Sequence, residues 1–335
     1  MAGRASVWSD PKVRELSGAF TPATDESYRL QTTDDPEARF FRTMIHGTPD
    51  RVQGSRQGTY VCTPAGRLLA RGNSTDPRAI ERILAGGLAA WNALDAGERA
   101  RPVPEALRPR HRYEHFYPAD GLALRSVLRE RVLGDPETFE GVNFDHLWIG
   151  KEELATWWRA LTPLLDGTSP SEPVALPAAV VDRWVRFHLI DNVRGQEGPF
   201  APEDVERAEI ISRIVAVEGD RVTVALSGRS RAETDGTWKL GENNWKRFPS
   251  DPRGLEAWLA GRATFDRSTG KCTSFLVVAI GESWGLGKLN GRRGRPPGER
   301  TALAWRFTWI DPAAPERVPP AFVDLYAVPW IDPAP

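Results

Sequence analysis

Cysteine is scarce in this chain: 335 residues carry two, Cys62 and Cys272. Thiols so far apart form no Cys-x-x-Cys pair, no zinc-ligand spacing and no disulfide framework. The expectation for both is a free, buried, small apolar residue. Methionine is as rare, and five tyrosines stand against thirteen tryptophans. No segment approaches the ~18 continuous apolar residues of a membrane span, and Met1 to Trp8 contain no apolar run of the signal-peptide kind. A cytoplasmic address without membrane contact is therefore expected. Neither charge sign dominates, because 44 Lys and Arg balance 45 Asp and Glu. A formal net charge of −1 sets up no global field toward nucleic acid.

What is present is enough for two domains. Three Asp-Pro pairs open helices, since Asp caps and Pro fits the first turn. Asp10-Pro11 starts a helix with Val13 and Leu16 that ends near Gly18. Asp34-Asp35-Pro36 starts a second, with Ala38, Phe41, Met44 and Ile45 on one face. Asp76-Pro77 starts a third, where Ile80, Leu84, Leu88 and Trp91 keep helical spacing to Leu94 and are expected to be buried. Between them, Phe20–Thr24, Thr59–Cys62 and Arg67–Ala70 read as strands, the last two joined by the turn Thr63-Pro64-Ala65-Gly66.

The segments Trp8-Ser9-Asp10-Pro11-Lys12-Val13, Phe20-Thr21-Pro22-Ala23 and Thr63-Pro64-Ala65-Gly66-Arg67-Leu68-Leu69-Ala70, then Asn73 and Asp76-Pro77, resemble a group of bacterial thioredoxin-family proteins. The resemblance covers about 95 residues and implies a thioredoxin-like α/β fold. In that group a Trp-Cys-x-x-Cys motif precedes the Trp-x-Asp-Pro segment, and this sequence has none. Without two thiols no dithiol–disulfide cycle is possible. The group carries no established activity to transfer.

Residues 1–98 thus read as a thioredoxin-like domain, 99–120 as a proline-rich linker, and 121–335 as an α+β domain with an antiparallel sheet. Leu122, Leu124, Ser126 and Leu128 alternate as in a strand. Lys151 to Leu161 looks helical, and Pro177 opens a helix carrying Val181, Trp184, Val185 and His188. The runs to Val217 and from Val222 flank a Glu218-Gly219-Asp220 turn, a hairpin signature. Leu255–Phe265 and Cys272–Ile280 repeat it around Ser268-Thr269-Gly270, and Leu303–Phe307 adds a strand.

The densest functional-looking run is the helix exit from His188 through Asp191, Asn192 and Arg194 to Gln196. His can act as base, Asp as orienter and Arg as anion clamp. A catalytic reading puts Asp191 within reach of His188 or Arg194. The structural alternative is that the same residues only cap the helix and pair with each other. His111-Arg112-Tyr113-Glu114-His115 matches His-x-x-Glu-His, in which His111 and His115 are the candidate metal ligands. The proline-rich surroundings argue against a helix there, which leaves open a looser site of His111, His115, His146 and His188 with Asp145 or Asp191. Gly281 to Gly291 resembles a phosphate loop superficially, but Leu289 follows Lys288 where Ser or Thr is required. Its arginines, Arg292, Arg293, Arg295 and Arg300, suit a solvated turn or an anion-binding lip. The expected function is a redox-inactive binding or scaffold protein, with an unknown protein partner or a small anionic ligand and no cofactor. The alternative is a hydrolase or metal-assisted enzyme at His188–Gln196.

Overall fold

The computed structural model describes residues 7–8, 10–21, 30–31, 34–50, 57–103, 105, 113–132, 135, 137–167, 170–195, 197–234, 237–240, 246–249, 252–285, 290–292, 295–296, 298–314 and 317–331. It divides into two units, residues 1–112 with 241–245, and residues 113–240 with 246–333. The division falls inside the stretch 99–120.

The first unit contains α1 (Pro11–Ser17), α2 (Pro36–His46), β1 (Thr59–Cys62), β2 (Leu68–Gly72), α3 (Pro77–Asn92) and α4 (Ala96–Ala100). The Asp-Pro pairs work as the sequence suggests. Asp10 accepts the N–H groups of Lys12 and Val13, Asp35 that of Ala38, and Asp76 that of Arg78. Each satisfies a donor that the first helical turn leaves unbonded. β1 and β2 form an antiparallel pair. Val7, Val13, Val61, Ile80 and Leu84 make the core. Gly87 lets α3 approach β1, because a Cβ there would lie 2.6 Å from a Val61 methyl.

Several expectations change here. Leu88 and Trp91 are only half-buried, since Gly87 and not Leu88 faces β1. In α2 the buried place goes to Arg42, whose guanidinium donates to the carbonyls of Pro49 and Leu30, while Phe41 is half-buried. Cys62 is exposed, because strand alternation turns Val61 inward and its neighbour outward. Phe20 and Thr21 are not strand, and residues 22–24 lie outside the described residues.

The second unit is built on an eight-stranded antiparallel sheet. Its strands are β3 (Leu122–Arg131), β4 (Phe139–Ile149), β5 (Val174–Ala175), β6 (Val205–Glu218), β7 (Arg221–Thr234), β10 (Arg253–Asp266), β11 (Cys272–Gly285) and β12 (Arg300–Trp309), in the order β4-β3-β12-β11-β10-β7-β6-β5. A separate hairpin of β8 (Thr237–Leu240) and β9 (Lys246–Pro249) interrupts the meander. Both hairpins read from the sequence form, and both run longer than their apolar runs. The β6–β7 turn places Gly219 at φ 60°, a conformation glycine adopts without strain.

One face of the sheet carries the core, with Leu124, Val224, Ala257, Phe265, Val277, Trp305 and Phe307 buried against α5 (Lys151–Leu161) and α6 (Ala178–Arg183). Trp157 and Trp158 of α5 pack on Phe265, one edge-on and one stacked. α6 runs into a wider π turn, Trp184–His188, whose Trp184 packs on Phe275 and Phe307. On the opposite face Trp258, Leu276, Val278 and Ile280 are exposed. No helix among the described residues is long and apolar enough to cross a membrane.

Candidate functional site

His188 closes the π turn, a geometry that favours sites where a side chain must be re-aimed. Its side chain has no exposed surface. Nδ1 lies 2.9 Å from Asp145 Oδ2, and Nε2 lies 2.7 Å from the Tyr326 hydroxyl. Asp145 points inward from β4, opposite Ser126 of β3. Its other oxygen accepts the backbone N–H groups of His146 and Ala321. An ionised Asp145 calls for a proton on Nδ1, so Nε2 accepts from the tyrosine O–H. Burial, reinforced by the Asp145 charge, raises the Tyr326 pKa well above its ordinary value and keeps that proton in place. Arg183 lies 5.0 Å from the centre of the Tyr326 ring and is held by Glu153 through bonds of 2.7 and 2.6 Å. Both imidazole nitrogens are thus occupied, and neither is free for a metal.

Asp191 bonds to neither His188 nor Arg194, contrary to the catalytic reading. It accepts from Arg292 at 2.7 and 3.0 Å, from the Ser283 hydroxyl at 2.7 Å and from Arg295 at 3.4 Å. Arg194 turns instead to Glu130, at 2.7 and 3.1 Å, and to Glu140 at 2.9 Å. Glu130 also accepts from Arg292 at 2.6 Å. A continuous chain of alternating charge results: Arg194, Glu130, Arg292, Asp191, Arg295. Burial opposes the charge on Arg292, but Asp191 and Glu130 outweigh it and raise its pKa. Burial also acts on Arg295, and with Arg292 nearby its pKa is lowered despite Asp191. Asn192 accepts the Glu197 N–H through its side chain and the Asn143 amide through its carbonyl. Gln196 lies outside the described residues.

Glu197 is buried next to Arg253, 3.2 Å away, and accepts from Asn290 at 2.9 Å. Burial dominates and raises its pKa, although Arg253 and Asn290 pull the other way. Asp191, Glu197, Arg253, Ser283, Asn290 and Arg295 line a small recess, with about 10 Å3 open to the centre of a water molecule. That is room for one water and no organic ligand.

The basic loop is neither a solvated turn nor an open anion lip at its described residues, since Arg292 and Arg295 point inward onto Asp191. Arg293 lies outside the described residues, and Arg300 belongs to β12, where it covers Trp284 at 4.5 Å. Gly281-Glu282-Ser283-Trp284-Gly285 also spells Gly-x-Ser-x-Gly, the pattern of a hydrolase nucleophile elbow. A nucleophile elbow needs a strand-to-helix turn. Here the run is the end of β11, and its serine is buried against a carboxylate. Of the metal candidates, His115 is exposed in the short turn Tyr113–Phe116, and His111 lies outside the described residues. Among the described residues no three His, Cys, Asp or Glu side chains group as metal ligands.

Comparison of the chain with protein-family models, with curated proteins and with solved structures gives no match. The geometry therefore stands alone. Tyr326, Glu130 and Glu197 complete the networks without having been candidates. Glu130 had a legible signal, because it continues the inward series Leu122, Leu124, Ser126, Leu128 with a carboxylate, which requires a buried partner. Chemically, these networks pair their own charges, the first holding Tyr326 on His188 and the second holding Asn290, Arg292 and Arg295 on Glu197, Asp191 and Glu130.

Proposed function

We propose that this protein is a redox-inactive scaffold. In this reading a thioredoxin-like first domain without its dithiol is joined to a sheet domain whose open face is a contact surface for another protein chain. The carrying observation is β11. Its run Phe275-Leu276-Val277-Val278-Ala279-Ile280 is apolar on both faces, the signature of a strand covered on both sides. Phe275, Val277 and Ala279 are buried, yet Leu276, Val278 and Ile280 are 47, 41 and 58% exposed, beside Trp258 at 46%. Contiguous exposed apolar surface of this kind marks an interaction site.

The thiols support the redox-inactive half of the reading. Burial pushes Cys272 up to about 12, away from the thiolate that exchange requires. Two experiments test the proposal. In an insulin-reduction assay the chain should show no dithiol turnover, and turnover lost on replacing Cys62 and Cys272 would refute it. In native mass spectrometry of the chain isolated from its source, a bound protein chain should be retained by the parent and lost in Ile280→Lys. Retention of none would refute the contact surface.

The enzyme reading has one observation in its favour, the contact of an Asp145-oriented imidazole with the Tyr326 hydroxyl. Stoichiometric zinc, iron or copper in protein purified without an affinity tag, lost in His188→Ala, would favour it.

A further inference from the structure

We infer that the occupant of the open sheet face is a helix of another protein, one that carries acidic residues beside an apolar stripe. The inference rests on the contact-surface reading and adds the chemistry of the partner.

The register lays the outward residues in rows across the strands. Trp258 of β10, Ile280 of β11, Ala304 of β12 and Arg129 of β3 form one row. Ala260, Val278, Arg306, Val127 and, on β4, Phe144 form the next. Arg213, Ala225, Arg262, Leu276, Thr308 and Arg125 form a third. Phe144 is 59% exposed and carries the apolar patch of Trp258, Leu276, Val278 and Ile280 to the edge of the sheet. Arginines stand within and beside that patch. Arg262 and Arg306 are exposed and make no hydrogen bond or ion pair among the described residues. Arg129 and Arg213 donate to the backbone carbonyls of Phe139, Gly141 and Ser171, and meet no carboxylate among the described residues. The acids of the face are committed elsewhere. Glu256 is taken by Arg229 and Arg231, Glu282 by Arg300, and Glu209 lies out on β6 beside Arg229. Arg129, Arg213, Arg262 and Arg306 therefore set positive charge around an apolar floor, and charge complementarity selects an anionic occupant.

Shape decides the class of anion. The arginine side chains are longer than the aliphatic ones between them, so a smooth bilayer would meet guanidinium groups before it reached Val278 or Ile280. Nucleic-acid phosphates would pair the arginines but leave the aliphatic floor uncovered. Trp258 already has Arg229 over its ring at 5.4 Å, which occupies a stacking place for a base. A second copy of this face would set arginine against arginine. A polypeptide supplies both chemistries, with apolar side chains for the floor and carboxylates for the guanidinium groups. β10, β11, β12 and β3 are each paired on both sides and use their backbone groups within the sheet. A segment lying on the face must therefore bond its own N–H and C=O groups, and a single segment that does so is a helix. The size fits. Five strands, β10 to β4, at ~4.8 Å spacing give a patch about 19 Å across, the length of a helix of about thirteen residues.

Fluorescence anisotropy of a labelled peptide titrated with the full chain tests this. The probe is a helical peptide of about eighteen residues, with leucine at positions i, i+3, i+4 and i+7 and glutamate on either side of that stripe. Its counterpart has lysine for every glutamate. The glutamate probe should bind more than about tenfold tighter than its counterpart, and should weaken as salt screens the exposed charges. Arg262→Glu/Arg306→Glu, with an unchanged thermal melt, should lower its affinity more than about tenfold. Ile280→Ser should lower it about fivefold through lost apolar contact. Equal binding of the two probes would overturn the inference, as would a double reversal without effect. So would binding of phosphatidylserine vesicles or of a single-stranded oligonucleotide in place of the probe, abolished by Arg262→Glu/Arg306→Glu, which would assign the face to lipid or to nucleic acid. The chain retained in native mass spectrometry separates this inference from the reading beneath it. Its loss in both Ile280→Lys and Arg262→Glu/Arg306→Glu supports the acidic helix. Its loss in Ile280→Lys alone would overturn the acidic partner and leave the contact surface standing.

Discussion

The inner and outer faces of the eight-stranded sheet invert what residue type alone suggests. On the inner side, the residues that look chemical, from His188 to Arg194, have their bonding capacity filled by Asp145, Tyr326, Glu130, Arg292 and Ser283. On the outer side, residues that look like core, Leu276, Val278 and Ile280, are open. Reactive residue types in a dense run are therefore no measure of a site until their partners are known. An apolar run becomes a functional signal once one of its faces lacks a cover. The difference also divides the two kinds of mutational effect, because inner changes should act on stability and outer ones on association.

The largest effect is expected at Arg292. Its side chain is 5% exposed and bridges two carboxylates, Glu130 and Asp191. Arg292→Ala leaves both buried and short of a partner, a loss of about 3–5 kcal/mol in urea unfolding. A change under about 1 kcal/mol would mean that the cluster opens to water and the two faces are less different than described.

Tyr326→Phe is milder. It leaves His188 Nε2 buried without a donor, at about 1–3 kcal/mol in the same measurement. A neutral result would show that the imidazole changes partners, and the comparison would then need a mobile inner network.

Glu197 sharpens the comparison through pH. Its pKa is higher in the folded chain than in the unfolded one, so the folded state binds the extra proton. Its contribution is complete below the ordinary carboxylate range and is lost as pH rises through the elevated folded pKa. Relative to Glu197→Gln, the parent should therefore lose stability on going from acidic to neutral pH. A parent that gains instead would show that Arg253 and Asn290 outweigh burial. At the far end of the scale, Arg262→Ala on the outer face should change stability by no more than about 0.5 kcal/mol.

Much of the fold was legible because local chemistry writes it. The Asp-Pro caps, the Glu218-Gly219-Asp220 turn and the period-two runs of β6, β7, β10 and β11 are contained in short windows. The bonding of His188 was not. Asp145 is 43 residues away and Tyr326 is 138 away, and only the folded sheet brings them together. Asp191 and Arg194 looked like a pair because they are neighbours in sequence, yet alternation on β3 carries Glu130 inward to take Arg194. The outer stripe was visible as a strand, but its exposure was not, since a run apolar on both faces reads as fully buried.

The most direct test sets one residue of each face side by side. Retention of the bound protein chain in native mass spectrometry and urea unfolding are measured together on the parent, Ile280→Lys and Arg292→Ala. The account predicts that Ile280→Lys abolishes association with the unfolding of the single chain unchanged, while Arg292→Ala lowers stability and leaves the surviving folded fraction associated as before. Association that depends on Arg292 and ignores Ile280 would contradict it.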